Sequence, residues 1–168
     1  MYEQLPPGVP LSQGDVIDGC PVFQLDPASS NMDLEAQPEQ WRMRVIVMTQ
    51  ACDLTHVKTP RVLVAVMHSA QELVETGEMP ASLIRDQIRR GRVFGAYFLP
   101  AAPAPLDLPE SIVDLRDLHT VSRTVLEHLI QAGKRLCRLI TPYREHLAQH
   151  FAVTYMRIGL PEPYETEP

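Results

Sequence analysis

The chain has 168 residues, enough for one domain with a sizeable core, and its 45% hydrophobic and 21% charged content is that of an ordinary globular protein. A net charge of −6 argues against wholesale wrapping of nucleic acid, which is driven by Lys and Arg, but leaves room for a local basic patch. Three unpaired-looking cysteines suit a reducing compartment, no run approaches the roughly 18 apolar residues of a membrane span, and the N-terminus has no signal-peptide pattern, so a cytoplasmic location is expected.

Residues 1–13 are Pro-rich and read as extended. "GDVIDGCPVF" (14–23) gives a first strand, and the acidic stretch 24–40, with Pro27 and Pro38 and no periodicity, gives a surface loop. "MRVIVMT" (43–49) and "RVLVAVM" (61–67) are continuous apolar runs rich in Val and Ile, the pattern of strands buried on both faces. Pro60 suits the start of the second strand, leaving 50–60 as a polar connector.

The period then changes. "MPASLIRDQIRRG" (79–91) places Leu83, Ile84 and Ile88 on one side, with Pro80 in a first turn and Gly91 as a stop, and predicts a short helix. "RVFGAYFLP" (92–100) reads as a strand bulged at Gly95. Pro103, Pro105 and Pro109 make 101–110 a stiff connector, and 111–122 reads as a strand pair or one bent strand. Residues 123–140 carry Val125, Leu129, Leu136 and Ile140 near 3.6 periodicity and predict a helix despite Gly133. Thr141 as N-cap with Pro142 at N1 opens a second helix through Leu147, Phe151 and Tyr155, closed by Gly159 and Pro161. Short strands without βαβ alternation, followed by helices, make the expected class α+β with a small, mostly antiparallel barrel.

Several polar groups could carry chemistry. Cys52 and Asp53 in "TQACDL" are the most distinctive local feature. A thiolate there would need a cation or an imidazole from His56 or His68, and Cys52 could otherwise be a small buried apolar group. Gln50 could bond a base edge or a partner backbone, and Asp53 could close the turn. Cys52, Asp53 and His56 do not complete a tetrahedral metal set, and His146 and His150 lack the HExxH glutamate, so no metal site is read. Arg85, Arg89, Arg90 and Arg92 concentrate positive charge near Phe94, Tyr97 and Phe98. That is a solvated helix face in its plain reading and an RNA or acidic-partner surface in its functional one.

Four stretches in common order resemble the PemK/MazF-type toxin ribonucleases: "GDVI" (14–17), "RVIVMTQACD" (44–53), "RVLVAVMHS" (61–69) and "SIVDLRDLHTVSRTVLEHL" (111–129). The resemblance implies an SH3-like β-barrel. The loop 18–41, the short inserted helix and the segment 131–168 lie outside it, so the chain divides into a barrel domain over 1–130 with that long loop, a helical extension over 131–160, the two C-terminal helices being read from the residues, and a tail over 161–168. The resemblance also implies cleavage of single-stranded RNA without metal or organic cofactor. A base takes the 2′-OH proton while a cation steadies the phosphate charge. On the matching positions Arg44 is the cation and His68, with Ser69 beside it, stands where the family has a hydroxyl.

An imidazole can serve as base or acid, and Arg binds phosphate bidentately. This sequence departs from the pattern in three places: no proline follows Arg44, His68 replaces the hydroxyl, and His119 precedes Thr120 where an Arg is usual. A domain of this type is expected to dimerise and to be held by an antitoxin peptide. The rival reading keeps the barrel as a non-catalytic protein-interaction module, with the C-terminal helices or the groove taking the partner. A third makes Cys52 the reactive group.

Overall fold

The structure is a computed structural model that describes residues 1–24, 39–55 and 59–156. Most of the expected loop 18–41, the side chain of His56, the helix stop at Gly159 and Pro161 and the tail 161–168 lie outside the described residues.

Seven strands and five helices follow in the order β1 (Tyr2–Glu3), β2 (Asp15–Gln24), β3 (Glu39–Val47), α1 (Ala51–Thr55), β4 (Arg61–Ser69), α2 (Ala70–Glu75), α3 (Ala81–Asp86), β5 (Ala96–Leu99), β6 (Ser111–Ser122), α4 (Arg123–Gln131), β7 (Arg135–Leu139) and α5 (Tyr143–Tyr155). A 3-10 turn, Ile88–Arg90, follows α3. The fold is α+β. Among the described residues one sheet holds every strand in the order β1-β7-β2-β3-β4-β6-β5, all pairs antiparallel, and no strand pairing there closes it into a barrel.

The apolar runs in β3 and β4 are continuous because both faces of the sheet are covered. Val45, Val47, Val62, Val64 and Val66 face a first core completed by Leu126 and Ile130 of α4 and Leu54 of α1. Ile46, Met48, Ala65 and Met67 face the opposite core, covered by Leu147 and Phe151 of α5 and by Ala102 and Leu108 of the Pro-rich connector. A third cluster seats α2, α3 and the 3-10 turn through Leu73, Ile84 and Ile88 against Ala96 and Ile112. β6 is one bent strand: its pairing to β4 jumps from Asp114 opposite Val66 to Leu118 opposite Ala65.

The short inserted helix expected at 79–91 is present as α3 and its 3-10 turn. The helix expected through 140 is not. Helix α4 stops at Gln131, Gly133 takes a positive φ of 74°, and Arg135–Leu139 is strand β7, laid between β1 and β2. The segment expected to be a helical extension therefore supplies an inner strand of the sheet, next to its β1 edge, as well as a helix. The period-2 signal was hidden because its buried positions, Arg135, Cys137 and Leu139, begin with an arginine. Thr141 is not the N-cap of α5, which starts after Pro142.

Arginine is buried there because it meets a carboxylate. Asp15 is fully buried; its Oδ1 accepts from Arg138 Nε at 2.6 Å and its Oδ2 from Arg138 Nη2 at 2.9 Å and from Arg135 Nη1 at 3.4 Å. The two guanidinium groups also donate to the carbonyls of Pro6, Val9 and Pro10, pinning the N-terminal segment to β7. Asp15→Ala would leave two arginines without their counter-charge. Urea denaturation is expected to show a loss of about 3–5 kcal/mol. Asp18→Ala, which breaks a half-exposed pair with Arg44, is expected to cost less than about 1 kcal/mol.

Candidate functional site

Register decides what Arg44 and His68 can do together. Arg44 of β3 lies directly opposite Met67 of β4. Cross-strand partners share a face and successive residues alternate, so His68 points to the other side of the sheet. Arg44 sits at the margin of the core containing Ile46 and Met67, where its Nε donates to Asp18 Oδ1 at 3.3 Å. His68 lies opposite Ile112 and lines a pocket of about 150 Å³ with Leu73, Glu78, Met79, Asp114 and Arg116. Ser69 is the N-cap of α2, its Oγ accepting from Glu72 N at 3.3 Å. The expected trio of Arg44, His68 and Ser69 is not brought together.

The pocket around His68 holds two groups that the sequence reading passed over. Asp114 Oδ1 accepts from Arg116 N at 2.8 Å and from Arg116 Nε at 3.2 Å, which fixes the guanidinium beside its own strand. The stem of Arg116 passes over Gly95, where an added Cβ would lie 3.0 Å from it. The signal was legible as the alternation Asp114-x-Arg116 at the mouth of β6, next to Asp117-x-His119.

The remaining candidates are dispersed. Arg85 pairs with Asp86, and Arg89 pairs with Glu110 at 2.6 Å while its guanidinium carbon sits 4.6 Å from the centre of the Phe98 ring. Two of the arginines in that cluster are thus already matched, and Arg90 is exposed. Gln50 precedes α1 and Asp53 lies in its first turn: the Gln50 carbonyl accepts from Asp53 N, and the Asp53 carbonyl from Thr59 Oγ1. Cys52 is exposed, and its Sγ neighbours are the acceptors Gln50 Oε1 at 3.6 Å and Asp53 Oδ1 at 3.8 Å. No group of three His, Cys, Asp or Glu among the described residues is arranged to hold a metal ion. His150, read as part of a solvated stripe, packs edge-on against Tyr97 and bonds the Val93 carbonyl.

Three expected binding residues lie in sizeable grooves: Arg85 and Arg89 line one of about 490 Å³ between α2, α3 and Pro109, and His119 lines another. The Nε2 of His119 is 2.8 Å from Asp117 Oδ1, and its groove, of about 460 Å³, runs between Pro21–Phe23 of β2 and Leu118–Ser122 of β6. A second groove of about 440 Å³ continues from it past Val125 to Arg42, His128 and Leu129. Phe23 and Trp41, near the end of the β2–β3 hairpin, are 58% and 51% exposed. The sequence reading missed both; large aromatics flanking an acidic loop were the available signal.

Compared with known proteins, the chain matches no family model and no curated protein. No helix among the described residues is long and apolar enough to cross a membrane.

The thiols separate cleanly. Burial pushes Cys20 up to about 11 and Cys137 up to about 12, the latter helped by the nearby Asp15. In the native protein at pH 8, a maleimide reagent is expected to modify Cys52 alone, with the other two reacting only after denaturation. Mass spectrometry of the labelled peptides checks this, and native labelling of Cys20 or Cys137 would contradict the burial described.

Proposed function

We propose that this chain is a protein-interaction module built on a divergent, opened form of the PemK/MazF SH3-like barrel. In this reading β2, β3, β4 and β6 correspond to the barrel strands, and the family's pairing of an arginine with a hydroxyl has been lost. The observation that carries it is the groove beside His119, lined by Val22, Leu118, Val121 and Val125 together with His119, Thr120 and Ser122 and bordered by the exposed Phe23. Mixed apolar and polar lining beside an exposed large aromatic is the make-up of a partner site. The separation of Arg44 from His68 and the net charge of −6 point the same way. The partner is another polypeptide, the class to which an antitoxin peptide would belong.

Site-specific photo-crosslinking tests it. With p-benzoylphenylalanine at Phe23 or Trp41 of the full chain in its host cells, a discrete protein adduct is expected. The same group at Val153, exposed on α5, should give none. Equal adducts from all three positions, or none from any, would contradict an interface at the groove.

A second reading has its own support: His68, Asp114 and Arg116 line one pocket, so an imidazole and a guanidinium-bearing side chain border the same small cavity. Here His68 takes the ribose 2′-OH proton and Arg116 steadies the phosphate. Metal-independent cleavage of single-stranded RNA, measured in EDTA, would then fall at least 100-fold in His68→Ala and in Arg116→Ala and be unchanged in Arg44→Ala. Loss in Arg44→Ala would instead restore the family's arrangement, and intact RNA throughout would leave the interaction reading alone.

A further inference from the structure

The groove beside His119 is a seam between two strand edges. β2 pairs with β3 along Val16–Gln24, but with β7 only at Asp15–Ile17. β6 pairs with β4 along its length, but with β5 only at Ser111–Asp114. The outer edges of β2 beyond Cys20 and of β6 beyond Leu118 therefore have no strand partner among the described residues. They face each other across the groove of about 460 Å³. Pro21, which has no N–H to give, sits in this stretch as prolines do on strand edges.

The direction of the β6 groups follows from its neighbours. Arg123 N–H donates to the Pro60 carbonyl on the β4 side, and Val121 and His119 lie opposite Val62 and Val64. In an antiparallel ladder alternate residues bond to the same neighbour. Leu118, Thr120 and Ser122 thus turn their N–H and C=O groups away from β4 and into the seam. Two facing rows of main-chain donors and acceptors call for one ligand chemistry: an extended polypeptide that bonds on both sides.

We propose that the seam is filled by an extended segment of a partner protein, inserted as a strand between β2 and β6, with alternating apolar and acidic side chains. The proposal rests on the interaction reading above and names the form of its partner. Apolar side chains would meet Val22, Val121 and Val125 on the inner side. The two connected grooves contain no carboxylate among their lining residues, and Arg42, opposite Pro21 and so on the face turned away from Val22, is the cation the outward positions would meet, so these favour Glu or Asp. Asp117, bonded to His119, is the nearest counter-charge on β6.

The probe is a fluorescein-labelled, end-blocked Val-Glu-Val-Glu-Val-Glu-Val peptide, titrated into the full chain by anisotropy. Saturable binding is expected, at least 10-fold tighter than for the peptide with Lys at the Glu positions. N-methylation of the Val residues removes donors along one edge of the peptide, and of the Glu residues along the other. Each change is expected to weaken binding at least 10-fold. Thr120→Pro removes a seam-facing N–H and no β4 bond, so it should keep the urea midpoint and lose at least 10-fold in affinity.

Absent binding, equal affinity of the Lys peptide, or insensitivity to either N-methylation overturns the proposal. The N-methylated peptides decide the matter should Thr120→Pro fail to fold. If crosslinks from Phe23 and Trp41 persist unchanged in a folded Thr120→Pro chain, strand insertion fails while the interface reading stands. If those crosslinks never form, the interface reading itself fails.

Discussion

The arrangement of the sheet depends on one buried carboxylate. Asp15 lies at the start of β2 and gathers Arg135 and Arg138 from β7, 120 and 123 residues away in sequence. A charge with no exposed surface is tolerated only with a counter-charge and hydrogen bonds, so this contact has few alternative registers. It puts β7 beside β2 and lets β1 follow on the far side of β7. It also holds the carbonyls of Pro6, Val9 and Pro10, which turns a Pro-rich segment without secondary structure into a fixed flank of the sheet. Arg135 Nε has no hydrogen-bond partner among the described residues, so the clamp is incompletely satisfied there and serves register more than net stability.

Two consequences reach the surface. Because β7 has five residues and reaches β2 only at Asp15–Ile17, the distal half of β2 is left without an outer strand neighbour among the described residues. The curl of β2, β3, β4 and β6 around the first core then brings that half toward β6 without pairing it, which makes the seam. The second consequence is the separation of charges. With both faces of β3 and β4 buried, each residue is committed to one side, and a shift of one residue would turn a valine core outward. Arg44 and His68 are on opposite sides for that reason.

The sequence carried the strands and the inserted helix well. The Val-rich runs at 43–49 and 61–67 had no competing explanation, and Pro80 and Gly91 bracketed α3 by local chemistry alone. Arg135–Leu139 was illegible for a different reason. Five residues give little period-2 signal, and the arginine at a buried position is paid for by Asp15, a partner no local window contains. Helices α1 and α2 were too short to show a period. The site was less legible still. A resemblance aligned Arg44 with His68, but which face each takes depends on pairing register. Ser69 looked like a candidate hydroxyl, and its position at the start of α2 gives it a capping role instead. Asp114 and Arg116 passed as ordinary charges on a strand because the bend in β6 that collects them with His68 is tertiary.

Strand pairing at β7 and β3 is the claim on which the clamp, the seam and the separated charges all stand, and cross-strand proton–proton contacts measured by NMR in solution test it most directly. The expected result is backbone contacts between Asp15 and Arg138, between Val16 and Cys137, and between Arg44 and Met67. Helical contacts running through 135–139, or a register that sets Arg44 opposite His68, would contradict it.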